Sequence, residues 1–137
     1  MKSHSLWTAV SLCLVSVIGA WWWTRSSAAV VEVPLANPRE ARQKLREGTA
    51  IVVDARTAEE HARRHIPGSV LLPLAPMNDY VQQAEKAFPD KETTIYVYCR
   101  KGNCSQTAAR NLMAGGYRNV YDLGSIFDWP FETAGSG

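Results

Sequence analysis

TIYVYCRKGNCSQTAARNLMAGG, residues 94–116, is the stretch on which the fold turns. Thr94 to Tyr98 is rich in β-branched and aromatic side chains, which reads as a strand ending at Cys99. Residues 100–104 form a tight loop, Ser105 begins a helix that reaches about Ala114, and Gly115-Gly116 stops it. A strand that turns directly into a helix is the repeating unit of an α/β domain.

The same unit recurs upstream. Asn37-Pro38 supplies a cap and a first-turn proline for a helix from Pro38 to about Glu47, closed by Gly48. Ile51-Val52-Val53 is a continuous β-branched run, as expected of a strand buried on both faces. Thr57 caps the next helix with Glu60 at the capping-box position, and Pro67-Gly68 turns the chain toward a short strand at Val70-Leu71-Leu72. Met77 to Phe88 is helical, and Val120-Tyr121 is a last short strand. Strands alternating with helices predict a parallel sheet covered on both faces, in one domain over 30–137 that opens with a lead-in at 30–36.

Composition narrows the function. The apolar fraction of 46% with 20% charged residues is that of a globular chain. Of 15 basic residues, Lys2 and Arg25 precede Val30, leaving 13 against 13 acidic ones. A domain so nearly neutral lacks the basic face of a nucleic-acid binder. Leu6 to Trp23 carries no charge and is flanked by Lys2 and Arg25, with small residues at Ser27-Ala28-Ala29. These are the parts of an export signal, and Trp21, Trp22 and Trp23 suit the interfacial belt of a membrane span. Residues 1–29 are therefore expected to be a signal peptide or a membrane anchor. The domain is then periplasmic, or tethered through 6–23 to the inner membrane on its outer side. Leu12 before Cys13 argues against lipidation.

Chemistry concentrates at Cys99-Arg100-Lys101-Gly102-Asn103-Cys104-Ser105. Ligands of open α/β sheets bind beyond the carboxyl ends of the strands. A short loop there can aim successive N–H groups, together with a helix N-terminus, at one anion. A thiol at that spot ionises more easily, Arg100 and Lys101 add positive charge, and thiolate is the nucleophilic form. A cysteine at a strand end is otherwise a small buried apolar residue. The two cations, the glycine and the helix start favour chemistry over that alternative.

Further motifs resemble the rhodanese family. Asp54-Ala55-Arg56, Glu59-Glu60 and His65-Ile66-Pro67-Gly68-Ser69 are similar to the first half of a rhodanese domain. Cys99 to Ser105, Ala108-Ala109, Gly116-Tyr117, Asn119-Val120, Leu123-Gly124-Ser125 and Trp129 are similar to the second. The resemblance covers about residues 34–131 and implies a five-stranded parallel sheet flanked by helices on both faces. It implies that Cys99 takes sulfane sulfur from thiosulfate or a similar small donor, holds it as a persulfide, and passes it to cyanide or a thiol. No cofactor other than that covalent sulfur is implied. Arg100, Lys101, Gly102, Asn103, Cys104 and Ser105 are the implied donor-binding loop. Related phosphatases use a loop one residue longer ending in arginine, which this chain lacks.

Cys104 stands where many single-domain members carry arginine or a small hydroxyl residue. It is either a small residue whose N–H completes the cradle or a second thiol able to resolve the persulfide. The second reading allows a sulfur-carrier or redox relay that uses Cys99 and Cys104 with a thiol protein partner. A non-catalytic binding module is disfavoured because the cysteine is present. Asp54 and Arg56 are read as supports of the site edge, with Arg56 paired to Glu59 or Glu60. His61 is expected to be solvated, and His65 to order its turn. The cysteines and histidines lack zinc spacing, so no metal is expected. Trp129 and Phe131 are placed in the core or at the pocket mouth.

Overall fold

A computed structural model describes residues 31–137; the expected signal or anchor at 1–29 lies outside the described residues. Within them the order is α1 (Pro38–Glu47), β1 (Ala50–Asp54), α2 (Ala58–Arg63), β2 (Val70–Leu71), α3 (Met77–Ala87), β3 (Thr94–Cys99), α4 (Asn103–Ala114) and β4 (Asn119–Ser125). A short 3-10 turn, Ile126–Asp128, follows. The strands form one parallel sheet in the order β2-β1-β3-β4.

The sheet has four strands, where the resemblance implied five. The lead-in runs beside β4, but it contributes only a bridge between Leu35 and Asp122. Asp122 N–H donates to the Pro34 carbonyl at 2.9 Å, and Ala36 N–H donates to the Asp122 carbonyl at 2.8 Å. Pro34 has no N–H to extend that ladder, and Asn37 already caps α1 through Arg39 N–H.

Side chains of β3 alternate between two buried faces. Ile95, Val97 and Cys99 face a core with Tyr80, Ala84, Ala108, Ala109 and Leu112 from α3 and α4. Tyr96 and Tyr98 face a second core with Ala41, Ile66, Ile126 and Trp129. Trp129 is packed edge-to-face with Phe131, their ring centroids 5.1 Å apart. Thr57 caps α2 as expected, accepting from Glu60 N–H at 3.3 Å. No helix among the described residues is long and apolar enough to cross a membrane.

The α3–α4 contact leaves no room at Gly115. A Cβ there would meet Val81 Cγ1 at 2.6 Å and Cγ2 at 2.9 Å. Val81 is β-branched and cannot swing aside without leaving its rotamer. Gly115→Ala is therefore expected to cost about 1–3 kcal/mol by overpacking. Urea denaturation measures it, and an unchanged midpoint would refute the close fit.

Candidate active site

Register decides what meets at the carboxyl edge of the sheet. Cys99 lies opposite Ser125, and Asp54 opposite Tyr98. The chain leaves β3 at Cys99 and enters α4 at Asn103. That turn requires Gly102 at φ 92°, where a Cβ would be strained by the backbone angle even though it would meet the Gly124 and Ser125 backbone only at ordinary contact distances of 3.7–3.8 Å. The helix starts two residues earlier than the expected Ser105, because Gly102 itself takes the capping position. Ser105 consequently falls in the first turn, where its N–H has no helical acceptor.

That free N–H points at the sulfur. Cys99 Sγ accepts from Ser105 N–H at 3.2 Å and from Gly102 N–H at 3.1 Å. Ser105 Oγ donates to the Gly102 carbonyl at 2.8 Å and fixes the loop from within. The Ser125 hydroxyl donates to the Arg100 carbonyl and ties the loop to β4. Two amide donors and a helix N-terminus thus converge on one sulfur, an arrangement that stabilises negative charge there.

Cys99 is fully buried and bonded to Cys104 as a disulfide, with Cα atoms 6.0 Å apart. Cys104 is half-buried against the same core. It meets Cys99 through its sulfur, while the amides that cradle Cys99 are those of Gly102 and Ser105. Arg100, Lys101 and Asn103 are exposed. Neither Arg100 nor Lys101 is paired with a carboxylate among the described residues.

Asp54 and Arg56 pair with each other, not Arg56 with Glu59 or Glu60. Arg56 Nε donates to Asp54 Oδ1 at 3.0 Å, Nη2 donates to Oδ2 at 2.8 Å, and Nη2 also donates to the Arg64 carbonyl at 2.5 Å. Glu59 is exposed and Glu60 is only half-buried, its Oε1 accepting from the Thr57 hydroxyl, whereas Asp54 is completely buried beside Arg56. Tyr98 OH donates to Asp54 Oδ2 at 2.9 Å, as Ile66 N–H donates to Tyr98 OH at 3.2 Å. Burial alone would raise the Asp54 carboxyl, but the bonds from Arg56, His61 and Tyr98 hold it below its ordinary value. The Tyr98 phenol is pushed up to about 12, chiefly by burial, against the opposing effect of the Ser69 hydroxyl.

His61 is half-buried and paired rather than fully solvated. Its Nδ1 lies 2.9 Å from Asp54 Oδ2, and its ring stacks on His65 with centroids 4.0 Å apart. His65 does order its turn, with Nδ1 2.7 Å from the His61 carbonyl. Sequence reasoning also missed Arg63, Arg64 and Phe127. With Arg56, Glu60, Arg100 and Ile126 they line a cleft of about 190 Å³ beside the loop. The adjacent arginines at the end of α2 were the available signal. Cavities of about 440 and 330 Å³ lie along α1, and no residue of the Cys99 loop lines them. The cleft at Arg100 is smaller than a drug-sized pocket and carries mainly positive charge, which suits a small anion.

Comparison with known proteins agrees with this geometry. The rhodanese-like domain family matches residues 37–130. The thiosulfate sulfurtransferase GlpE of Pseudomonas fluorescens Pf-5 is 37% identical over 102 residues, spanning 71% of this chain and 89% of that protein. GlpE of Pseudomonas savastanoi pv. phaseolicola is 36% identical over 101 residues, spanning 70% and 91%. Among solved structures, a rhodanese with anions from E. coli superposes with TM-score 0.58 at 28% identity, covering 64% of this chain and 99% of that one. The human single-domain sulfurtransferase TSTD1 superposes with TM-score 0.62 at 25% identity, covering 72% and 96%.

Proposed function

The chain belongs to the rhodanese-like domain family, and on that premise we propose how its residues divide the work. It is a thiosulfate sulfurtransferase-type transferase that moves sulfane sulfur from thiosulfate or a similar donor to a thiophilic acceptor. Cys99 is the nucleophile, and the observation that carries this is the pair of N–H donors, Gly102 and Ser105, converging on its sulfur.

From the reduced cysteine the chemistry is two displacements at sulfur. The Cys99 thiolate attacks the outer sulfur of thiosulfate, the S–S bond of the donor breaks, and sulfite departs with the bonding pair. The resulting persulfide anion sits in the same amide cradle. Cyanide or a thiol, free or on a protein partner, then attacks the outer sulfur and returns the thiolate. No proton leaves carbon, so Asp54 and Arg56 are supports of the site edge and not acid–base catalysts. The sulfur rides on Cys99 itself, so the reaction asks for no dissociable cofactor or metal.

Reduced protein mixed with thiosulfate and cyanide forms thiocyanate on this reading, and its absence would overturn it. Arg100 and Lys101 attract the donor dianion as exposed point charges. Replacing both by alanine is expected to raise the KM for thiosulfate roughly 10-fold with a smaller change in kcat, and added salt should narrow the difference. An unchanged KM would remove them from the donor site.

The uncharged run Leu6–Trp23 between Lys2 and Arg25 supports an exported domain, periplasmic or tethered to the inner membrane through 6–23. Residues 1–29 then form the signal or anchor and 30–137 the catalytic domain. N-terminal sequencing of the protein recovered outside the cytoplasm tests this. Cleavage near Ala29 marks a signal peptide, an intact Met1 in the membrane fraction marks an anchor, and recovery only from the cytoplasm refutes export.

A further inference from the structure

We propose that Cys104 is a resolving thiol, which expels the sulfur carried on Cys99 as hydrosulfide and leaves a Cys99–Cys104 disulfide for a dithiol to reopen. The inference rests on Cys99 carrying the persulfide. Its basis is that the loop already holds the two sulfurs in bonded contact, Cα to Cα 6.0 Å, within the range of about 4.4–6.8 Å that disulfides use. Nothing in the sulfur-transfer chemistry requires a second thiol at that position.

Placement gives the pair a direction. Cys99 is fully buried, and its sulfur accepts two amide N–H groups. Cys104 sits on the first turn of α4, half-buried, between the exposed Asn103 and the buried Ser105. In thiol–disulfide exchange the better-stabilised thiolate leaves, and the more accessible sulfur is attacked. An incoming thiol therefore attacks Cys104 and releases Cys99 as the cradled thiolate. Run from the persulfide, the same geometry lets Cys104 attack the inner sulfur on Cys99.

The step balances without an outside oxidant. Loaded Cys99 carries an outer sulfur as persulfide anion. The Cys104 thiolate forms a bond to Cys99 Sγ, the bond from Sγ to the outer sulfur breaks, and the outer sulfur leaves with the bonding pair. A proton from water makes it hydrosulfide. The two cysteines are oxidised together to the disulfide, and the transferred sulfur is reduced. An external dithiol of the small-molecule or protein class then reduces the disulfide and is itself oxidised. Over the cycle thiosulfate and the dithiol yield sulfite, hydrosulfide and the oxidised dithiol. The disulfide state also covers the nucleophile, so the enzyme is silent until a dithiol opens it.

The test is a single turnover with no thiol or cyanide present. Protein is reduced, stripped of reductant under argon and mixed with thiosulfate. Sulfite, hydrosulfide and intact mass are followed together. Wild type is expected to release hydrosulfide in step with sulfite and to end two hydrogens lighter than the reduced chain. Cys104→Ser should instead stop with one extra sulfur atom on the chain, its hydrosulfide at background. Sulfite release followed by a lasting persulfide on wild type, without hydrosulfide, would overturn the resolving role while leaving Cys99 in place. No sulfite at all would instead defeat the sulfurtransferase reading. Wild type alone yields this decision if the serine variant fails to fold.

Discussion

Cys99→Ser is expected to lower thiocyanate formation by roughly 10³-fold or more while the domain stays folded. Serine keeps the size of the side chain and can accept from Gly102 and Ser105 N–H, which now donate to sulfur at 3.1 and 3.2 Å. Folding is thus preserved at modest cost, and the loss falls on chemistry. A hydroxyl stays protonated at neutral pH, and an oxygen has no persulfide to offer. The control is the reduced wild type, because the substitution also removes the bond to Cys104. Steady-state thiocyanate assays on both proteins measure the ratio, and a melting curve checks the fold. Activity within ~10-fold of wild type would place the nucleophile elsewhere.

Why this cysteine was legible and its neighbours were not is a matter of range. β3 is buried on both faces, so its apolar run stands out, and the glycine and helix that follow complete a local pattern. The amide cradle is local too, since its donors lie within six residues of Cys99. The strand count was less legible, because Pro34 reduces the lead-in to a bridge that only tertiary pairing with Asp122 reveals. Arg56 was assigned to Glu59 or Glu60 from the proximity of opposite charge. Its partner is set by burial instead: Asp54 has no water to solvate it, whereas Glu59 is exposed and Glu60 is only half-buried. His61 joins the same carboxylate for the same reason. The cleft residues Arg63, Arg64 and Phe127 come together with Arg100 only when α2 and the 3-10 turn meet at the sheet edge.

The buried pair carries the largest expected effect on stability. Asp54 receives Arg56 Nε, Arg56 Nη2, Arg56 N–H and Tyr98 OH, all at 2.8–3.0 Å, and its side chain is wholly shielded from water while that of Arg56 is 6% exposed. Asp54→Ala removes the acceptor and leaves a guanidinium and a phenol buried without it. Breaking one side of such a pair costs about 3–5 kcal/mol. For a domain of this size each kcal/mol shifts Tm by about 4–8 °C, so a fall of at least ~12 °C is expected. The sign with pH follows from the depressed carboxyl. Its contribution is complete above the unfolded carboxylate value of about 4 and fades as pH falls through the lower folded value. The gap in Tm between wild type and Asp54→Ala should therefore be constant near neutrality and close below about pH 4. Arg56→Ala serves as the second corner of a double-mutant cycle, and strong non-additivity is expected because each single change strands the other partner. A variant that melts within ~2 °C of wild type at neutral pH would show that water reaches the Asp54 site and that the network is not what holds the sheet edge.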